Sequence, residues 1–149
     1  MTDDEPIENV CCVLCSPELA PIVGESRHWR LVLNRNQCLL GKCLLVLRRH
    51  EEQVAGTTAG EWSDLHAQIG RATAMLVAAF QPDHFNYVFL QNQDRHVHLH
   101  VIPRYAAPRE YAGVTFSDLD YPNHYTPDVV RTLTGQQMAG LAALLAATL

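Results

Sequence analysis

The run His96-Val97-His98-Leu99-His100, continued by Val101-Ile102 and Pro103-Arg104-Tyr105, constrains this chain more than any other segment. Drawn as a strand, it points His96, His98 and His100 to one face and Val97, Leu99 and Val101 to the other. Every one of those imidazole nitrogens needs a partner, and burying three rings together without partners is too costly for a strand with a merely structural role. Oxygens, a metal ion or both must meet the histidine face. The other face packs a core.

Length and charge narrow the frame. A chain of 149 residues has room for one domain, 1–149, with a single sizeable core, and its 48% apolar and 18% charged residues place it among ordinary globular proteins. A formal net charge of −5 argues against a nucleic-acid coat or an anionic membrane surface as partner, since both need clustered Lys and Arg. A small anionic ligand needs only a local site. No apolar run approaches the ~20 residues of a membrane span. The start Thr2-Asp3-Asp4-Glu5 also lacks the basic and apolar regions of a secretory signal. The expected compartment is the cytoplasm, with residues 1–8 mobile. Five cysteines there read as thiols or metal ligands rather than as a disulfide framework. Cys12-Val13-Leu14-Cys15 has the spacing of a zinc knuckle, whereas Cys38 and Cys43, set among leucines and valines, read as small buried hydrophobes.

Periodicity supplies the elements. Trp29, Leu31 and Leu33 alternate with more polar neighbours, and Gly41 to Leu47 is almost wholly apolar, so the two runs read as paired strands joined by a loop around Asn36-Gln37. Thr58-x-x-Glu61 forms a capping box ahead of Trp62, Leu65, Ile69, Ala72, Leu76 and Ala79, a helical stripe that Gln81-Pro82-Asp83 stops. Strands follow over Phe85–Gln91 and His96–Ile102, and the short Asn92–Arg95 link suits a tight antiparallel hairpin. Tyr105 to Pro127 has no period and reads as an ordered loop. Thr134-x-x-Gln137 caps a final helix within a C-terminal helical segment, 128–149. The class is α+β: an antiparallel sheet with helices on one face and the histidines on the other.

Near pH 7 a neutral imidazole is a good nucleophile, and once attached to phosphorus a good leaving group, so it suits a two-step displacement. His98, the central member, is the best placed to attack. Its same-face neighbours, ~6–7 Å away along a strand, can donate to the non-bridging oxygens of the same phosphate. A zinc ion held by all three histidines is the competing reading, although no catalytic carboxylate lies close by in sequence.

The histidine run with Pro103-Arg104-Tyr105 resembles the motif of the histidine-triad family, and the likeness extends upstream through the strand pair and Asn34 to cover most of the chain between Cys12 and Tyr105. The resemblance implies a homodimeric α+β protein acting at the α-phosphorus of nucleotide conjugates. His98 would be nucleotidylated and then released by water, His100 would bind the α-phosphate, and His96 would hold a neighbouring group or the leaving side. Asn34 and Gly41 match the spacing of the dinucleoside-polyphosphate, or fragile-histidine-triad, branch. That match makes Asn34 a partner of the ribose hydroxyls on a pocket lined by Leu31 and Leu33. Read on its own, Asn34 equally starts a turn. The short segment before the triad leaves Asn92 as the candidate phosphate contact, and Lys42 stands where many members carry histidine.

Some bacterial relatives in this family look like zinc proteins, with a Cys-x-x-Cys pair, a histidine after the second strand pair and the first triad histidine. Cys12, Cys15, His50 and His96 match, which implies a closed structural zinc site and no organic cofactor. The expected activity is hydrolysis or nucleotidyl transfer on a dinucleoside polyphosphate such as diadenosine tetraphosphate. The alternatives are a nucleoside phosphoramidase and a nucleotide-binding sensor with little turnover.

Overall fold

Alternating apolar side chains build the sheet on which the site stands. The computed structural model describes residues 12–16, 20–126 and 129–149, so the expectation for residues 1–8 lies outside the described residues. Five strands, β1 (Ile22–Glu25), β2 (Trp29–Leu33), β3 (Cys43–Leu47), β4 (His84–Val88) and β5 (His98–Arg104), pair in the order β1-β2-β3-β5-β4. Every neighbouring pair is antiparallel. The register separates the two faces: Leu31, Leu45 and Leu99 stand opposite one another across β2, β3 and β5, as do Leu33, Cys43 and Val101. These rows enter the main core with Leu65, Met75 and Leu76 of α1 (Ala59–Phe80) and with Leu141 and Leu145 of α2 (Gly135–Thr148). The intervening rows, Arg30–Val46–His98 and Val32–Leu44–His100–Val88, belong to the other face. Both helices therefore cover one face and leave the histidine face to the segment of Val13–Cys15 and to Cys38 and Tyr125.

Local chemistry starts each helix where its sequence allows. In α1 the Glu61 amide donates to Thr58 Oγ1 at 3.1 Å while the Thr58 amide donates to Glu61 Oε2 at 2.9 Å. In α2 Thr134 and Gln137 repeat the exchange at 3.1 and 2.9 Å. Each box satisfies two amide donors that a helix start otherwise leaves orphaned. Trp29, fully buried, donates its indole N–H to the Glu61 carbonyl at 2.8 Å and so fastens β2 to the first turn of α1. Gly41 has φ +88°, and a Cβ there would come within 2.7 Å of Leu76 Cδ2 on α1, so the entry to β3 needs glycine for both backbone and space.

Four elements differ from the reading of the sequence, and one is β4, which ends at Val88 and leaves a longer link to β5 than the expected Asn92–Arg95. Residues 22–25 form an edge strand, with a register shift between Ile22 and Gly24. The expected loop from Tyr105 to Pro127 contains a separate hairpin, β6 (Arg109–Tyr111) and β7 (Val114–Phe116), turning through Ala112 and Gly113 at φ 50° and 75°. The triad strand begins at His98 rather than His96. The His96 amide donates to the Asp94 carbonyl at 2.9 Å and the Val97 amide to the Glu51 carbonyl at 2.7 Å, so before His98 the ladder to β3 keeps only the bond from the Leu47 amide to the Val97 carbonyl at 3.1 Å.

Candidate active site and metal cluster

His98 and His100 project from β5 side by side, with ring centroids 4.9 Å apart. His98 is buried, and its Nδ1 lies 2.6 Å from the His96 carbonyl. A carbonyl can only accept, so Nδ1 carries a proton and, in the neutral ring, Nε2 holds the lone pair. That is the tautomer a nucleophilic imidazole requires. Burial, aided by the nearby His98 and by the positive charge of Lys42, pushes His100 down to about 4. It is therefore an uncharged ring at neutral pH, able to donate one N–H to a phosphate oxygen.

His96 leaves the pair. Its Nε2 meets the Leu47 carbonyl at 2.6 Å, while its Nδ1 lies 3.2 Å from Cys12 Sγ, 3.4 Å from Cys15 Sγ and 3.3 Å from His50 Nδ1. The remaining edges, Cys12–Cys15 at 3.2 Å, Cys12–His50 at 3.5 Å and Cys15–His50 at 3.4 Å, close a near-regular tetrahedron of two sulfurs and two nitrogens. The centre of a tetrahedron lies about 0.61 of an edge from each corner, here about 2.0–2.1 Å, within the reach of imidazole–zinc bonds and slightly short for thiolate–zinc bonds. The donor set, spacing and geometry fit a tetrahedral metal ion. Outer partners orient both imidazoles: the Leu47 carbonyl takes the Nε2 proton of His96, and Glu52 lies 3.5 Å from His50 Nε2. The turn carrying His50 is braced by Arg49, which spans Glu61 at 2.6 and 3.0 Å and the Gly56 carbonyl at 2.9 Å. With both ring nitrogens engaged, His96 has none left for substrate, which corrects the expectation that its side chain holds the leaving side. Its contribution to the pair runs through its backbone carbonyl.

Solved structures of similar shape include a histidine triad protein from Sinorhizobium meliloti, with TM-score 0.71, 19% identity, and coverage of 87% of this chain and 90% of the other. A hypothetical histidine triad nucleotide-binding protein from Sulfolobus tokodaii superposes with TM-score 0.70 at 16% identity, covering 92% and 91%. The chain has the histidine-triad fold. A zinc-bound histidine triad family protein from Mycobacterium smegmatis shares that fold, with TM-score 0.60 and 20% identity over 91% of this chain and 94% of the other. No protein-family model matches the sequence, and no curated protein matches it.

On this histidine-triad scaffold the other candidate residues separate. Asn34 follows β2, its amide donating to the Lys42 carbonyl at 2.9 Å, and its Oδ1 accepts the Asn36 amide at 3.0 Å in a turn. The turn reading thus holds, and among the described residues the side-chain amide nitrogen has no partner. Leu31 and Leu33 are corrections: both are buried in the main core, because the strand register sends them to the helix side. Val32, Leu44 and Val46 stand in their place on the histidine face. Asn92 is exposed in a groove of about 490 Å³ walled by Glu52, Gln53, Gln91 and Arg95, away from the histidine pair. Another groove, of about 350 Å³, opens on the histidine face between His84, Asn86 and Val88 of β4 and Asn123–Tyr125.

Two contributors escaped the sequence reading. Gln37, fully buried, donates Nε2 to the carbonyls of Asn34 and Lys42 at 2.7 and 2.9 Å and accepts the Gly41 amide at 2.9 Å, pinning the loop between β2 and β3. Arg104, the last residue of β5, is committed to a buried network. It is buried and paired to Asp118 at 2.6 and 3.1 Å, with Asn86 and the Asn123 carbonyl as further acceptors. The Gln37 bonds close within one aperiodic loop and the Arg104 pair is set by a later segment of the chain, so no periodic pattern announces either.

Proposed function

We propose that the chain belongs to the histidine-triad family and is a cytoplasmic, homodimeric nucleotide hydrolase or nucleotidyl transferase acting on dinucleoside polyphosphates. In the first step His98 Nε2 forms a bond to the α-phosphorus, and the bond from that phosphorus to the bridging oxygen breaks, releasing a nucleotide with its remaining phosphates. In the second step water, or another acceptor, takes the nucleotidyl group and frees His98. His100 donates to a non-bridging oxygen, Asn34 bonds the ribose, and Cys12, Cys15, His50 and His96 hold a structural zinc. That ion, when bound, crosslinks the start of the chain to the sheet. No described helix is long and apolar enough to cross a membrane.

The observation that carries the reading is the bond from His98 Nδ1 to the His96 carbonyl, which in the neutral ring leaves the lone pair on Nε2, beside an uncharged His100. The test compares steady-state cleavage of diadenosine tetraphosphate with that of an adenosine phosphoramidate. Faster cleavage of the former is expected. A preference for the phosphoramidate makes the protein a phosphoramidase, and binding without turnover of either makes it a nucleotide sensor.

The role given to Asn34 has its own check. Asn34→Ala should weaken nucleotide binding by roughly 0.5–1.5 kcal/mol, the net worth of one hydrogen bond. Calorimetric titration should show a larger loss for AMP than for its 2′-deoxy analogue. Equal losses for the two sugars would leave Asn34 with its turn alone.

A further inference from the structure

A buried cation on the histidine side of the sheet has no anion to answer it among the described residues. Lys42 is 6% exposed, yet among the described residues it has no ion pair. Its described polar contact is Cys38 Sγ at 3.7 Å, a weak acceptor, and its ammonium lies 5.7 Å from the centre of the Tyr125 ring. Lysine is rarely buried to this extent without a charged partner. Arg104, 6.0 Å from the same ring, shows the contrast, since Asp118 neutralises it.

The fold directs Lys42 toward the chemistry. Cys43, the next residue, pairs with Val101 and faces the helices, so its predecessor falls on the histidine side. The groups Lys42 touches, Cys38 and Tyr125, form a small second cluster with Ile102, which follows His98 and His100 along the same face of β5. His98, His100 and the Lys42 ammonium thus succeed one another along one face, and the charge of Lys42 is felt at His100. No carboxylate faces Lys42 from β3, β5 or the Tyr125 segment among the described contacts.

Resting on the reading above, we propose that Lys42 is a specificity-determining residue: its unpaired ammonium binds the phosphate that follows the α-phosphate, selecting substrates whose leaving group is anionic. A phosphoramidate, whose leaving amine is not anionic, gains nothing from it. A polyphosphate supplies the missing counter-charge and reaches it only after His98 and His100 are engaged.

The test pairs binding with turnover in Lys42→Met, of similar length but uncharged, and in Lys42→Arg, which keeps the charge. The parent should bind ADP at least tenfold more tightly than AMP by calorimetry, the Met variant should lose that ratio, and the Arg variant should keep most of it. kcat/KM for diadenosine tetraphosphate should fall tenfold or more in the Met variant, while that for an adenosine phosphoramidate changes less than threefold. Without ligand, Lys42→Met should melt no lower than the parent, because removing an unpaired buried charge leaves no partner stranded. An undiminished ADP-to-AMP ratio in a folded Met variant overturns the proposal. Loss of the ratio in a protein that cleaves neither substrate overturns the hydrolase reading instead and supports the role of Lys42 in binding. A parent that binds neither nucleotide overturns both.

Discussion

His98→Ala leaves a folded protein that binds nucleotide and turns over at least a thousandfold more slowly, because the covalent route disappears while the pocket stays. Single-turnover quenching of the parent with a radiolabelled dinucleoside polyphosphate should capture label on the protein in an acid-labile linkage, and the alanine variant should capture none. His98→Asn should behave alike, since its amide can still reach the His96 carbonyl but offers no nucleophilic nitrogen. Turnover of His98→Ala within tenfold of the parent would remove His98 from the role of nucleophile.

Protein purified without chelator should carry one zinc per chain, and stripping the metal should lower the thermal midpoint steeply. The three ligand-bearing segments, Cys12–Cys15, the turn at His50 and the entry to β5 at His96, meet at the cluster with all six donor–donor distances between 3.2 and 3.5 Å. Binding energy at a site that exists only when folded is folding energy. Cys12→Ser or Cys15→Ser should therefore cost several kcal/mol of stability, judged from the affinities of structural zinc sites. The rate of the protein that remains folded should fall less, since neither cysteine touches the histidine pair. Metal content near zero, with an unchanged melting curve in both variants, would return these cysteines to the standing of ordinary thiols.

Legibility followed the range of the interactions involved. Thr58, Glu61, Thr134 and Gln137 were readable because a capping box closes within four residues, and the alternation around His98 was readable because a strand alternates whatever surrounds it. The metal cluster was recoverable only through a family likeness, since Cys12, His50 and His96 are brought together by the sheet. His96 shows the limit of periodicity: its alternation is regular, yet its amide bonds the Asp94 carbonyl instead of the β3 ladder and its ring goes to the cysteines. For Leu31 and Leu33 the spacing was right and the face was wrong, because alternation identifies two faces without saying which meets the helices. The hairpin of β6 and β7 hid behind three-residue strands and a turn that puts Ala112, a residue with no preference for positive φ, at 50°. Lys42 was visible as a departure from its relatives, but its missing partner is a property of the packed structure.

Asn36 joins the loop between β2 and β3 to the stretch leading into α2. Its amide donates to the Val129 carbonyl at 2.9 Å, its Oδ1 accepts the Arg131 amide at 2.9 Å, and the Gln37 amide donates to the Arg131 carbonyl at 2.9 Å. The stretch leading into α2 is thereby stitched to the loop that displays Asn34 and Lys42. Anyone trimming this protein to a minimal catalytic unit would be misled by the position of the triad, which ends well before the C-terminus. Cutting after β7 would spare the histidine triad and remove the splint that keeps the loop of Asn34 and Lys42 in shape, so on the proposed function the stretch leading into α2 serves recognition as much as the core.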